Sequence, residues 1–148
     1  MYNNKNYNRH LILENGLYIN NLSIKIPENK LNLGWQDAKE YCAKYGRGWR
    51  LPTQYECYDI MKLIRDECEI EYGFGQWRLD INSIHNKYPF LKFLPPCWTS
   101  SEVHGTDSVQ LCNFDSSKIL ESSFRIESLF YSNNKYKTRA RFIMVRNS

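Results

Sequence analysis

The chain has 148 residues and a formal charge of +4, from 20 Lys and Arg against 16 Asp and Glu. Its residues are 42% apolar, 24% charged and 15% aromatic, with only 7 Gly and 5 Pro. That composition excludes disordered, fibrous and low-complexity architectures and leaves one aromatic-rich domain. The basic residues are scattered, and their longest cluster is Lys135–Arg141. A dedicated nucleic-acid binder concentrates its positive charge, so nucleic acid is not the expected partner.

Residues 1–15 are expected to form a flexible polar arm and residues 16–148 a single domain. The first ten residues lack the apolar core and small-residue cleavage site of a secretory signal. No apolar run approaches the ~18 residues that a membrane helix needs. The chain is therefore expected to be cytoplasmic when made and not inserted in a membrane.

Leu17–Ile26 is predicted as a strand, with Leu22, Ile24 and Ile26 alternating and Pro27 ending it. A first helix begins near Gly34, with Trp35, Ala38, Cys42 and Tyr45 forming one apolar stripe. Asp37 suits its first turn, and Gly46 is expected at a left-handed cap. Thr53-Gln54-Tyr55-Glu56 is a capping box that opens a second helix running to about Glu69. Cys57, Ile60, Met61, Ile64 and Cys68 make its buried face, and Lys62 with Asp66 a pair on its outer face. Residues 70–96 carry Gly73, Gly75, Pro89, Pro95 and Pro96 and are expected to be irregular, with one helical turn near residues 80–84. Four strands follow: Cys97–Ser101, Ser108–Phe114, Phe124–Phe130 and Arg141–Arg146. Turn signals stand at Gly105–Asp107, Asp115–Ser117 and Asn133–Asn134. Pairing of the first and last strands would close the domain.

Three landmarks in this order carry a resemblance. They are Gly34-Trp35-Gln36-Asp37-Ala38-Lys39-Glu40-Tyr41-Cys42, then Gly48-Trp49-Arg50-Leu51-Pro52-Thr53-Gln54-Tyr55-Glu56, and last Trp98-Thr99-Ser100-Ser101-Glu102 with Ala140–Arg146. Residues 16–148 resemble a bacterial family of C-type-lectin-like domains. That family is related in fold to formylglycine-generating-enzyme-like domains and occurs at the C-terminus of a collagen-like adhesin. The resemblance implies an α+β fold with two helices packed on a small antiparallel sheet and a long irregular loop region. Within the motif, Trp35, Trp49, Arg50, Leu51, Pro52, Thr53 and Glu56 have structural roles. Trp49 and Leu51 plug the core, Arg50 binds carbonyls at a chain crossing, and Pro52 with Thr53 sets the helix start. Glu-Pro-Asn and Gln-Pro-Asp, the sugar-selecting triplets of calcium-dependent lectins, are absent. The copper-binding cysteine pair of the formylglycine-generating enzymes has no counterpart either.

The five cysteines form no Cys-x-x-Cys pair and are expected to be buried thiols. His10, His85 and His104 belong to no metal motif, and no Gly-rich phosphate loop is present. No cofactor or resident metal is expected; calcium on Glu102, Asp107, Asn113 and Asp115 is the alternative. The functional surface is expected on loops carried by the rigid scaffold, at residues 72–96, 102–107, 113–118 and 131–138. Trp77, Arg78, Trp98, Glu102, His104, Asn113, Tyr131 and Tyr136 are its candidate ligand-binding residues. They suit a non-catalytic recognition module that binds a protein partner, as a subunit of a larger bacterial or phage assembly. The first alternative is a carbohydrate-binding module in which Trp77, Trp98 or Tyr136 stacks on a sugar. The second is a cysteine-dependent enzyme, for instance one pairing Cys97 with His104.

Overall fold

Two helices with apolar stripes on different cores, and strands too short to stand alone, set the architecture. A computed structural model of the chain describes residues 16–19, 22–27, 31–68, 70–73, 76–78, 82, 88, 91, 96–115 and 129–147. In chain order the elements are β1 (Gly16–Ile19), β2 (Leu22–Lys25), α1 (Trp35–Tyr45), α2 (Gln54–Cys68), β3 (Ile70–Gly73), β4 (Gln76–Arg78), β5 (Cys97–Glu102), β6 (Ser108–Cys112), β7 (Phe130–Asn134) and β8 (Met144–Asn147). The class is α+β. The strands make three sheets, ordered β1-β2-β8, β3-β4 and β5-β6-β7. Every strand pair in them is antiparallel.

The ends of the domain meet as expected. β2 pairs with β8, with Ile24 opposite Val145 and Ser23 opposite Arg146. Arg50 extends this sheet by exchanging both backbone bonds with Val145, at 2.9 and 2.8 Å. The alternation at the end of the chain divides two cores. Phe142 and Met144 enter the cluster of α1, with Trp35, Ala38 and Cys42, whereas Ile143 and Val145 enter the cluster of α2, with Cys57, Ile60, Met61 and Ile64. The β5-β6-β7 sheet lies between these clusters. Trp98, Val109 and Leu111 face α1, while Cys97, Cys112 and Phe130 face α2. The strand expected at Arg141–Arg146 is confined to β8, Met144–Asn147, but residues 142–145 still alternate between the two cores and are apolar at every position, as burial on both sides requires.

Two indoles tie the layers together. Trp35 Nε1 donates to the Thr99 carbonyl at 2.9 Å, and Trp98 Nε1 donates to the Leu33 carbonyl at 2.8 Å. Thr99 is buried, and its hydroxyl donates to the Gln110 carbonyl at 2.8 Å. The capping box is formed as its sequence demands. The Glu56 N–H donates to Thr53 Oγ1 at 3.1 Å, and the Thr53 N–H donates to Glu56 Oε1 at 2.9 Å. Ser101 Oγ accepts the Gln54 N–H at 2.9 Å, so β5 supplies a further cap to α2. On the outer face Lys62 Nζ stands 3.7 Å from Asp66 Oδ2.

Several expectations are corrected. Leu17–Ile26 is not one strand but two, because β1 and β2 pair antiparallel with Ile19 opposite Leu22. Within residues 70–96, β3 and β4 form a second antiparallel pair, and Gly73, expected to break regular structure, pairs with Gln76. Asn82 alone of the expected turn at residues 80–84 is described, and it is helical. Of the strand expected at Phe124–Phe130, residues 124–128 lie outside the described residues, and Phe130 begins β7. Asn133 and Asn134 sit in β7 rather than in a turn. The turn is residues 135–137, held by Asn134 Oδ1, which accepts the Tyr136 and Lys137 N–H groups at 2.8 and 3.0 Å. Gly46 is extended, with φ 173°, and Gly48 takes the left-handed conformation, with φ 85°. The Trp49 N–H donates to the Gly46 carbonyl at 3.2 Å, which puts Gly48 at the third position of a turn that favours positive φ. Tyr45 is exposed rather than part of the buried stripe.

Candidate functional site

α1 begins at the edge of the β5-β6-β7 sheet, and Trp35 is its first residue. The indole N–H is fixed inward on Thr99, and two ammonium groups stand over the ring. Lys39, one turn further along α1, has Nζ 4.1 Å from the ring centroid, and Lys135, just after β7, has Nζ at 5.0 Å. Lys135 also donates to Glu102 Oε1 at 2.7 Å. This bond holds the Glu102 carboxyl below the usual carboxylate range and pushes the Lys135 ammonium up, so both stay charged at neutral pH.

The same residues join two turns. The Lys135 N–H donates to the Asp107 carbonyl at 2.9 Å, which fastens the turn at residues 135–137 to the one at residues 103–107. The latter is stiffened from within. Thr106 donates its N–H and its hydroxyl to the Val103 carbonyl, at 3.1 and 2.9 Å, and its Oγ1 accepts the Ser108 N–H at 3.0 Å. Gly105 takes the positive φ of 78° that this turn requires. His104 and Tyr136 are exposed on the joined turns, and Tyr136 has 71% of its surface open to solvent.

Glu102, His104 and Tyr136 are thus the predicted ligand-binding residues that the fold brings together. Tyr131 lies along β7, opposite Leu111, and is 42% exposed; partial burial pushes its phenol up. Asn113 lies beyond β6 and is half-buried. Its N–H donates to the Leu129 carbonyl at 2.7 Å, which ties the residue after β6 to the one before β7. Trp98 is a correction: it is fully buried, presents no face to a ligand and acts as a core residue. Trp77 and Arg78 lie in β4, opposite Glu71 and Ile70, and their side chains fall outside the described residues. Trp35, Lys39 and Lys135 were not among the predicted ligand-binding residues. The i, i+4 spacing of Trp35 and Lys39 could have signalled the first contact, whereas the approach of Lys135 depends on tertiary structure.

The structural motif holds together around Arg50. Its Nη1 and Nη2 donate to Glu56 Oε1 and Oε2, both at 2.8 Å, and Nη2 also donates to Asn147 Oδ1 at 2.7 Å. The expected carbonyl contact is reduced to Leu51 at 3.3 Å. A carboxylate three residues into α2 outcompetes carbonyls for a guanidinium because its bonds are charge-assisted and bidentate. Burial pushes the Glu56 carboxyl up, but the bonds from Arg50 and Thr53 outweigh it and leave it below its ordinary range. The same pairing raises the Arg50 guanidinium. Leu51 and Pro52 are buried, whereas Trp49 is only half-buried and lies beneath Arg146.

The remaining chemistry is sparse. Among the described residues, no three His, Cys, Asp or Glu side chains gather in a way that could hold a metal ion. Cys42, Cys57, Cys97 and Cys112 are buried thiols. Burial pushes the Cys42 thiol up to about 12 and raises Cys97 and Cys112 well above the ordinary range. A thiol nucleophile needs the opposite shift. Cys97 is buried and His104 exposed, so the two do not form a nucleophile–base pair. No described helix is long and apolar enough to cross a membrane.

No family model and no curated protein matches the chain. Solved structures do. EMS16, described as an antagonist of collagen receptor integrin α2β1, is similar over 93% of this chain and 100% of its own, with 10% identity and a TM-score of 0.46. Botrocetin is similar over 90% of this chain and 96% of its own, with 10% identity and a TM-score of 0.49. Ovocleidin-17, a major protein of the Gallus gallus eggshell calcified layer, is similar over 93% and 99%, with 9% identity and a TM-score of 0.45. With β2 paired to β8, two helices and small antiparallel sheets, the chain has an α+β fold.

Proposed function

We propose that the chain is a non-catalytic recognition module that binds another protein through the two joined turns at residues 103–107 and 135–137. The observation that carries this reading is the fixed group of Trp35, Lys39, Lys135 and Glu102 beside the exposed Tyr136. Tyrosine offers a large contact area for few rotatable bonds. The ion pair next to it is already formed, so binding costs little further side-chain ordering there. A protein fits better than a sugar because Trp98 is buried, Trp35 lies under two lysines and Trp49 lies under Arg146. Sugar stacking at the joined turns and β7 would rest on Tyr131 and Tyr136.

The test is capture by the tagged chain from an extract of its source cells, in parallel with Tyr136→Ala and with a glycan panel. A stoichiometric protein held by the wild type and lost by Tyr136→Ala, at unchanged melting temperature, supports the reading. Glycan binding without a protein partner would replace it with the carbohydrate reading.

A further inference from the structure

We propose that the far end of α1 carries a second binding surface, selective for a carboxylate-rich protein segment. Tyr45, the last residue of α1, is 43% exposed and meets Trp49 edge-on, with ring centroids 5.6 Å apart and planes at 89°. Each ring lies under a cation from the terminal sheet. Lys25 of β2 has Nζ 5.6 Å from the Tyr45 centroid, and Arg146 of β8 has Cζ 4.9 Å from the Trp49 centroid. Arg47 is exposed in the turn between Gly46 and Gly48, and Lys44 is exposed in the last turn of α1. Lys25, Lys44, Arg47 and Arg146 make no ion pair among the described residues. Of the neighbouring carboxylates, Glu56 is committed to Arg50, and Glu40 lies one helical turn back on α1.

Lys44 alone would be explained by the negative end of the helix dipole. Lys25 and Arg146 come from strands, and that explanation does not reach them. The Arg146 guanidinium stands over the Trp49 ring and keeps N–H donors that can meet a carboxylate. Two of the four cations stand over aromatic rings, so the patch combines charge with apolar surface, unlike the dense row of cations that suits a phosphate backbone. Charge complementarity with an apolar component therefore favours an acidic polypeptide over a uniform polyanion. This surface lies about 15 Å along α1 from Trp35, so it stands or falls separately from the joined turns.

The test is fluorescence anisotropy of a labelled peptide alternating glutamate with leucine, titrated with the full chain near physiological ionic strength. Arg47→Gln combined with Arg146→Gln is expected to weaken binding about tenfold. Lys62→Gln combined with Arg139→Gln removes the same charge elsewhere and is expected to leave it unchanged. Arg47→Gln alone, in an exposed turn, is expected to weaken binding about threefold with no change in stability, which separates binding from any folding defect at Arg146. Tyr136→Ala is expected to have no effect here. Absence of peptide binding, equal weakening by the two double variants, or tighter binding of a heparin oligosaccharide or a single-stranded oligonucleotide would overturn the proposal.

Discussion

Glu56→Gln keeps the shape of the side chain and removes its charge, which isolates what the carboxylate does at the start of α2. Glu56 accepts two bonds from Arg50 at 2.8 Å and one from the Thr53 N–H at 2.9 Å. Glutamine can still close the capping box through its amide oxygen, but its NH2 group would then oppose Arg50 Nη2. A bond to a charged group is worth about 1.5–3 kcal/mol when well buried. Here the Arg50 and Glu56 side chains are 39% and 25% exposed, so solvent screening pulls the value down. The expected loss is about 1–2 kcal/mol, or roughly 3–6 °C in melting temperature for a chain of this size. Urea denaturation should show a lower midpoint with an unchanged slope. In a double-mutant cycle with Arg50→Ala, the coupling should be about 1 kcal/mol. A coupling of zero would refute the reasoning, because Arg50 would then hold β8 to α2 without help from Glu56.

Three further outcomes follow from the same structure. The folded Glu56 carboxyl lies below its unfolded value of about 4.3. Its contribution is therefore fully present above that pH and is lost as pH falls through the lowered folded value, so the stability gap between wild type and Glu56→Gln should narrow in acid. Trp98→Phe removes the donor to the Leu33 carbonyl and part of a fully buried ring. It should cost about 2–4 kcal/mol by chemical denaturation, and a loss below about half a kcal/mol would contradict the tie. Cys42, Cys97 and Cys112 should alkylate slowly in the native chain at neutral pH, at rates set by opening of the fold; fast single-site labelling by iodoacetamide at any of them would contradict their burial.

Local signals are legible where one short stretch decides the outcome. The Thr53–Glu56 box, the Trp35, Ala38 and Cys42 stripe and the Val109–Leu111 alternation each determine their own element. The two antiparallel pairs at the N-terminus and after α2 are not, because Asn-Asn and Gly-x-Gly read equally as breakers and as strand connections. The Phe142–Val145 run shows alternation but not that both faces are buried, since that depends on a helix core lying on each side. At the candidate site, Glu102, His104 and Tyr136 are legible as loop residues carried by a scaffold. Lys135 is visible only as part of a basic cluster. Its placement over Trp35 arises from β6–β7 pairing and the bond to Asp107, which link residues far apart in sequence.

The central claim is that the joined turns are the recognition surface. Amide hydrogen exchange of the chain, alone and saturated with its captured partner, tests it most directly. The account predicts new protection at residues 103–107 and 131–137, with α2 unchanged. Protection confined to α2 or to the β1-β2-β8 sheet, with both turns still exchanging freely, would contradict it.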